Sequence, residues 1–340
     1  LYHTQYDKQR IKDKKAEYIT LDPARTSIKD IKTFLELIFS LNVNDTILSW
    51  LYIADLFASF LKILFFWKKF KIIWNVRNTV IKIHEYSLIA FIAFTILRIF
   101  LMKIPNTIIF NSKESMLQHI KKGYSEKKSL VIYNGFTRYA SIKKLKSKKN
   151  YFNIINVARY HPQKNHKLLF KSIEILKHNY SFNFKLHLIG KGLNKKNTML
   201  IKHLKNLHIY ENVILYDLID PILVHELFSK SDISLLLSSY GESFPNVIAE
   251  AMAVKTPCVV TNVGDSSYIV GNTGWVVPAD NSIKLAIAIE SAIKEIRTKE
   301  WSKRRNRARA RIRDKFSIGK MIKSYNKGWF KVYNKNLKNN

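Results

Sequence analysis

The stretch richest in chemical possibility reads Gly241-Glu242-Ser243-Phe244-Pro245-Asn246-Val247-Ile248-Ala249-Glu250-Ala251-Met252. Pro245 suits the first turn of a helix, and Ser243 is placed to cap it. A helix starting there presents free N–H groups and the positive end of its dipole, which together make an anion site. Glu250 lies in an otherwise apolar run from Val247 to Val254. A carboxylate buried in such a run needs donors. The vicinal hydroxyls of a ribose or hexose would supply them, and so would a nearby Lys or Arg; spacing leaves both open. Upstream, Arg159 and Lys164 flank the loop after the apolar run Tyr151–Val157 and precede a helix opened by Asn165. Cations at the carboxyl end of a parallel strand face the crevice where such sheets bind ligands. Arg clamps phosphate oxygens in a bidentate way, and Lys adds a point charge. Two solvated cations are the plain alternative in a chain this basic. His161 and His166 read as surface residues.

Gly190-Lys191-Gly192 follows the run Leu186–Ile189, either as a tight strand-to-helix turn or as a phosphate-binding one. No Asp-x-Asp occurs, and no His, Asp or Glu cluster has metal-ligand spacing. A diphosphate held here would be neutralised by Arg159, Lys164 and the helix terminus. Neither a metal nor a cofactor is expected.

These residues need a scaffold, and the pattern supplies one. Short β-rich runs occupy Thr46–Trp50, Lys71–Val76, Thr107–Asn111, Ser129–Tyr133, Tyr151–Val157, Phe184–Ile189, Asn212–Tyr216, Ile233–Ser238, Pro257–Thr261 and Gly274–Val277. Helical segments lie between most of them, as in Lys164–His178, where Leu169, Ile173 and Leu176 recur at helical spacing. Such alternation predicts parallel sheets covered by helices. The Lys-rich run 141–150 divides a first domain, 1–140, from a second, 151–300, with a basic C-terminal segment, 301–340. Gly123 and Gly135 are the only glycines before residue 150. Close approach of backbone to phosphate usually needs glycine, so a nucleotide site belongs in the second half.

The 340 residues suffice for two domains. With 45 Lys and 13 Arg against 25 acidic residues, the net charge is +33. That balance points to a polyanionic partner: nucleic acid, an anionic membrane or a phosphorylated substrate. The Lys excess also reflects a chain rich in Ile and Asn. Cys258 is the single cysteine, so no intrachain disulfide forms, and a reducing compartment fits. The chain opens without Met, a secretory signal or a Gly-containing strand-to-helix turn, which reads as a missing N-terminal segment. The most apolar stretches are Thr46–Phe66, interrupted by Asp55 and Lys62, and Ser87–Met102, interrupted by Arg98. They read as buried or interfacial helices rather than membrane spans.

Taken in order, Arg159…Lys164, Gly190-x-Gly192, Glu242-x(7)-Glu250 with its Gly241 to Pro245 lead-in, Thr261-Asn262-Val263-Gly264 and Gly271…Gly274 resemble the donor-binding half of the retaining family 4 glycosyltransferases. Val131-Ile132-Tyr133-Asn134-Gly135 resembles that family's turn before the interdomain linker. The segment from Phe316-Ser317-Ile318 to Tyr325 resembles its C-terminal helix, which crosses back to the first domain. The resemblance implies a GT-B fold: α/β, two Rossmann-like doubly wound parallel-sheet domains facing a cleft. It implies transfer of a sugar from a nucleoside-diphosphate sugar with retention at the anomeric carbon. In that pattern Glu250 holds the ribose hydroxyls, Glu242 lies near the donor sugar, and Arg159 and Lys164 hold the diphosphate. Backbone amides around Ser243, Phe244, Pro245 and Asn246 orient sugar and phosphates, beside the Gly190 and Gly192 turn. Fixed cations and amides at the departing diphosphate lower the barrier. Where related sequences often carry a His, this chain has Arg77 and Asn78, the acceptor-side candidates. Tyr268 stands where many members have Glu.

The expected acceptor is a lipid-linked or other saccharide in surface polysaccharide or lipopolysaccharide synthesis. The enzyme would be cytoplasmic and peripheral on the inner face of the plasma membrane. The segment Leu61–Lys71 supports contact with an anionic membrane surface: it sets Trp67, Lys68 and Lys69 among Phe and Ile without an acidic residue. The plain alternative makes Ile63, Leu64 and Phe66 the core face of a helix. Other readings are an epimerase of the same fold, a non-catalytic relative and a basic nucleic-acid-binding protein. The tail supports the last, but Arg304 to Arg313 read as a solvated helix face, and no nucleic-acid module is present, so no nucleic-acid partner is expected.

Overall fold

The computed structural model describes residues 45–79, 88–137, 151–179 and 183–337, with parts of 32–43, and side chains as far as residue 328. The expected linker 141–150 and residues 1–31 lie outside the described residues. All ten expected strands form, seven of them shorter by one or two residues.

In the first domain, β1 (Thr46–Trp50), β2 (Lys71–Val76), β3 (Thr107–Phe110) and β4 (Ser129–Val131) pair in that order, all parallel. Every residue of β2 is buried, as a strand covered on both faces must be. Helix α1 (Leu51–Leu64) packs against α2 (Leu88–Phe100), and α3 (Lys113–Lys121) follows β3. Ser112 caps α3 by accepting from the Ser115 amide. The aromatic core of Tyr52, Trp74, Phe94, Phe110 and Tyr124 encloses polar groups that must find partners. Tyr52 pairs with His119 Nε2 at 2.6 Å, and Ser49 donates to Asp55 at 2.5 Å. Burial pushes the Asp55 carboxyl up to about 8.

In the second domain, β5 (Phe152–Val157), β6 (Phe184–Ile189), β7 (Val213–Tyr216), β8 (Ile233–Leu236), β9 (Cys258–Thr261) and β10 (Trp275–Val277) form a parallel sheet in the order β10-β9-β8-β5-β6-β7. The order reverses between β5 and β8. Open α/β sheets bind ligands beyond the carboxyl ends of strands at such a reversal. Helices α4 (His166–Asn179), α5 (Thr198–Asn206), α6 (Pro221–Lys230), α7 (Asn246–Ala253), α8 (Ser266–Val270) and α9 (Ser282–Glu295) cover the sheet.

The C-terminal segment divides at Phe316. Helix α10 (Lys299–Lys315) stays on the second domain, burying Trp301, Ala308 and Ile312. Helix α11 (Ile318–Leu337) belongs to the first, where Met321 and Tyr325 pack with Ile73, Ile109 and Ile132. A bridge between Phe136 and Ser317 marks the crossing. The solvated arginine face expected of α10 is corrected at three positions. Arg304 makes two 2.8 Å bonds to Glu295 beneath Trp275. Arg305 and Arg311 donate to the Lys255 and Ile269 carbonyls. Those carbonyls end or follow short helices, where unpaired oxygens attract cations.

Candidate functional site

The loops after β5 and β8 meet at the sheet reversal. Asn165 takes a left-handed conformation and accepts from the Leu168 amide at 3.2 Å, which opens α4 and turns Lys164 toward the β8 side. There Lys164 Nζ donates to Glu242, which also accepts from the Ser238 hydroxyl at 2.6 Å. The pair is mostly shielded from water, with side-chain exposures of 18% and 10%. Gln163 joins the two loops, accepting from the Ser239 amide and donating to the Tyr240 carbonyl. Arg159 is exposed at the rim and donates to the Gln163 side chain at 3.1 Å.

Helix α7 starts one residue after Pro245, which stands at the cap position without a side-chain cap bond. Of its first-turn amides, that of Ile248 donates to the Pro245 carbonyl at 3.3 Å, and those of Asn246 and Val247 precede any intrahelical bond. Glu250, one helical turn on, is half-buried, and burial raises its carboxyl above the ordinary value. Among the described residues no Lys or Arg pairs with it. Among the same residues, no group of three His, Cys, Asp or Glu is placed to hold a metal.

Several expected site residues turn out to serve the joint between the domains. Ser243 does not cap α7. Its hydroxyl donates to Asn111 Oδ1 at 2.6 Å and meets the Ser112 hydroxyl at 2.7 Å. Phe244 is buried against Tyr133, Phe136 and Phe316. Asn246 Oδ1 accepts from Asn134 at 2.7 Å. Arg77 donates Nη1 to Asn134 and Nη2 to Tyr325 of the crossing helix and lies over the Trp50 ring. The Asn78 carbonyl accepts from Ser115, while its side-chain oxygen is buried without a partner. Tyr268 stacks on Tyr133.

At Gly190 and Gly192 the glycine requirement comes from neighbouring loops. A Cβ on Gly190 would lie 2.4 Å from the Ala158 carbonyl oxygen, and Gly192 takes a left-handed φ of +86° that favours glycine while its amide donates to Asp217. His166 is corrected from surface to interior: it is buried between Tyr160 and Phe170, and both ring nitrogens lack partners. Burial and Lys164 lower its imidazole to about 4.

Asp265 is the residue that sequence reasoning missed. Its carboxylate accepts from the Lys113 and Glu114 amides, the first two of α3 in the opposite domain. Its own amide donates to the Ser243 carbonyl. Gly264 packs so closely beneath that a Cβ would sit 2.2 Å from the Glu242 carbonyl oxygen. Ser112 had a legible signal as a Ser preceding a helical segment. Asp265 had none, since its partners lie in the other domain.

The model of the family "Glycosyl transferases group 1" matches residues 138–314, more than half of the chain. The chain belongs to the group 1 glycosyltransferases. N-acetyl-alpha-D-glucosaminyl L-malate synthase of Bacillus anthracis is 32% identical over 151 residues, which is 44% of this chain and 38% of that protein. The chain thus spans well under two thirds of that curated relative's length. A glycosyltransferase from Rickettsia africae ESF-5 superposes with a TM-score of 0.78 at 18% identity, over 97% of this chain and 88% of that one. HepE from Anabaena in complex with UDP superposes with a TM-score of 0.76 at 18% identity, over 96% and 90%. These likenesses establish the GT-B fold of the chain. No helix among its described residues is long and apolar enough to cross a membrane.

Proposed function

We propose that this glycosyltransferase moves a sugar from a nucleoside diphosphate to a lipid-linked saccharide with retention, in the manner of family 4 and without a metal. The observation that carries the reading is Glu250, a half-buried carboxylate with no cation partner among the described residues, on the helix that follows the β8 loop. A carboxylate held there without a cation partner among the described residues suits the paired hydroxyls of a ribose. Arg159, Lys164 and the first amides of α7 offer charge to the departing diphosphate. Glu242 holds Lys164 in the crevice and borders the donor sugar.

A cavity of about 200 Å³ beside Asn134, lined in part by Lys320, Lys323 and Lys327, suits an acceptor phosphate. The setting proposed is the cytoplasmic face of an anionic membrane, in surface polysaccharide or lipopolysaccharide synthesis. The likeness to a glucosaminyl malate synthase favours a second reading, a small soluble acid as acceptor.

Melting shifts with a panel of nucleoside-diphosphate sugars test the donor. A donor at ~100 times its dissociation constant adds about 2.7 kcal/mol. The anomeric configuration of the product tests retention, and transfer to lipid-linked saccharide against malate separates the acceptors. If no donor raises the melting temperature, the reading fails.

A further inference from the structure

More than half of the exposed large apolar side chains in the described structure fall between Leu35 and Phe100. Most sit on α1, α2 and the turn after α1. On α1, Ile53, Phe57, Phe60 and Leu64 form one stripe at helical spacing, and Phe60 is 58% exposed. The opposite stripe, with Tyr52, Asp55, Ala58, Ser59 and Leu61, is buried on the sheet. On α2, Leu88, Ile89, Ile92 and Ile99 are exposed, while Ala93, Phe94 and Leu97 are buried. The two helices pack side by side, so their stripes join into one face. At half exposure such side chains present an apolar area on the order of several hundred Å², beyond what scattered surface residues make. A helix apolar all round is stable in water only when something covers it.

The chemistry of the face selects the cover. Asp55, the one acidic residue of α1, is buried. Lys62 turns its ammonium back onto the Lys68 and Phe70 carbonyls, and Lys68 donates to the Phe39 and Leu41 carbonyls. The Thr95 hydroxyl is spent on the Phe91 carbonyl. The face therefore offers almost no hydrogen-bonding groups, whereas a specific protein interface carries about one bond per 100–200 Å². Among the described residues, Arg98 of α2 turns its guanidinium to the Lys122 carbonyl, and the charges exposed just past the two helices are positive, Lys69 and Lys103. Phe66 and Trp67 stand exposed beside Lys69, so Ile63, Leu64 and Phe66 are not a core face. Aromatic rings and lysines at the edge of an apolar face match the headgroup boundary of a bilayer. Neither helix spans: 14 and 13 residues reach about 20 Å, short of the ~30 Å hydrocarbon core.

We propose that α1 and α2 together form the face on which this chain rests on an anionic phospholipid bilayer, its apolar stripes at the acyl boundary and Phe66, Trp67, Lys69 and Lys103 at headgroup level. This gives the membrane partner named above its docking surface and rests on that reading. The sequence pointed to the Leu61–Lys71 turn alone. The structure moves the main contact to the two helices and leaves Lys69 as the one fully exposed lysine of that turn.

The full chain is sedimented with vesicles of phosphatidylcholine alone or with phosphatidylglycerol. Binding to the anionic vesicles, weakened by salt, is expected. A Phe57→Gln, Phe60→Gln, Ile92→Gln variant with an unchanged circular dichroism spectrum should bind about tenfold or more weakly. If that variant does not fold, an environment-sensitive label on Phe60→Cys gives a second readout, because native Cys258 is buried. Its emission should shift to the blue on adding anionic vesicles.

Absence of vesicle binding by the parent chain overturns the proposal. So does a folded triple variant that binds like the parent, or a label that ignores lipid. A parent dimer that the triple variant dissolves without any lipid binding also overturns it, in favour of a second copy on this face. Hydrolysis of soluble donor is followed separately. A chain that consumes donor but ignores vesicles loses this surface and keeps its enzymatic reading.

Discussion

Replacing Asp265 with Ala tests whether the second domain holds the first in place through this carboxylate. The carboxylate accepts two backbone N–H bonds, at 2.8 Å from Lys113 and 3.0 Å from Glu114. Hydrogen bonds to a charged group are each worth about 1.5–3 kcal/mol. Burial raises the Asp265 carboxyl above its ordinary value even though both bonds act to lower it, so desolvation offsets part of that sum. In an open molecule the same amides reach water. A net contribution to closure of about 2 kcal/mol is reasonable, or roughly thirty-fold in the ratio of closed to open forms. Ser112 still serves the third amide of α3, so the helix itself should survive. Asp265→Ala should therefore lower kcat/KM for transfer by up to about thirty-fold, with donor affinity changed much less. Small-angle scattering should show a larger radius of gyration in the variant with nucleotide bound. Asp314→Ala, which removes an exposed partner of Arg313, is the control. Transfer kinetics within twofold of the parent, with unchanged scattering, would refute the reasoning.

Glu250→Gln should weaken donor binding more than Glu242→Gln, because ribose contacts exist in ground and transition states alike. Glu242→Gln, which also frees Lys164, should chiefly lower turnover; steady-state kinetics on both variants distinguishes these. Transfer should continue in excess chelator, and a loss restored by magnesium or manganese would count against Arg159 and Lys164 as the phosphate cations. The Asp55 carboxyl is held near 8 in the folded chain against 3.8 when unfolded, so its contribution to stability is full below about 4 and falls as pH rises to 8. Asp55→Asn should flatten denaturant midpoints measured across that window, with the difference largest at pH 8.

The strands were legible because each is a short apolar run whose ends are marked by polar or turn residues. Burial on both faces then follows from parallel pairing, as in Lys71–Val76 and Cys258–Thr261. The cation loop after Tyr151–Val157 and the helix from Asn246 were legible for a similar reason. Asn165 and Pro245 act on their own neighbours, and local rules carry across three or four residues.

What the sequence withheld depends on contacts between distant parts of the chain. Nothing near Glu250 in sequence says whether an Arg or Lys folds onto it, and none does among the described residues. Sequence does not show that the Phe244 ring joins an aromatic joint with the first domain or that the Ser243 hydroxyl bonds to Asn111 and Ser112. The arginines of α10 read as a solvated face because their carbonyl partners lie 42 and 50 residues away. The exposed apolar face of α1 and α2 shows the same limit. Hydrophobic periodicity says that a helix has two apolar stripes, but only the packing of one against the sheet leaves the other facing outward.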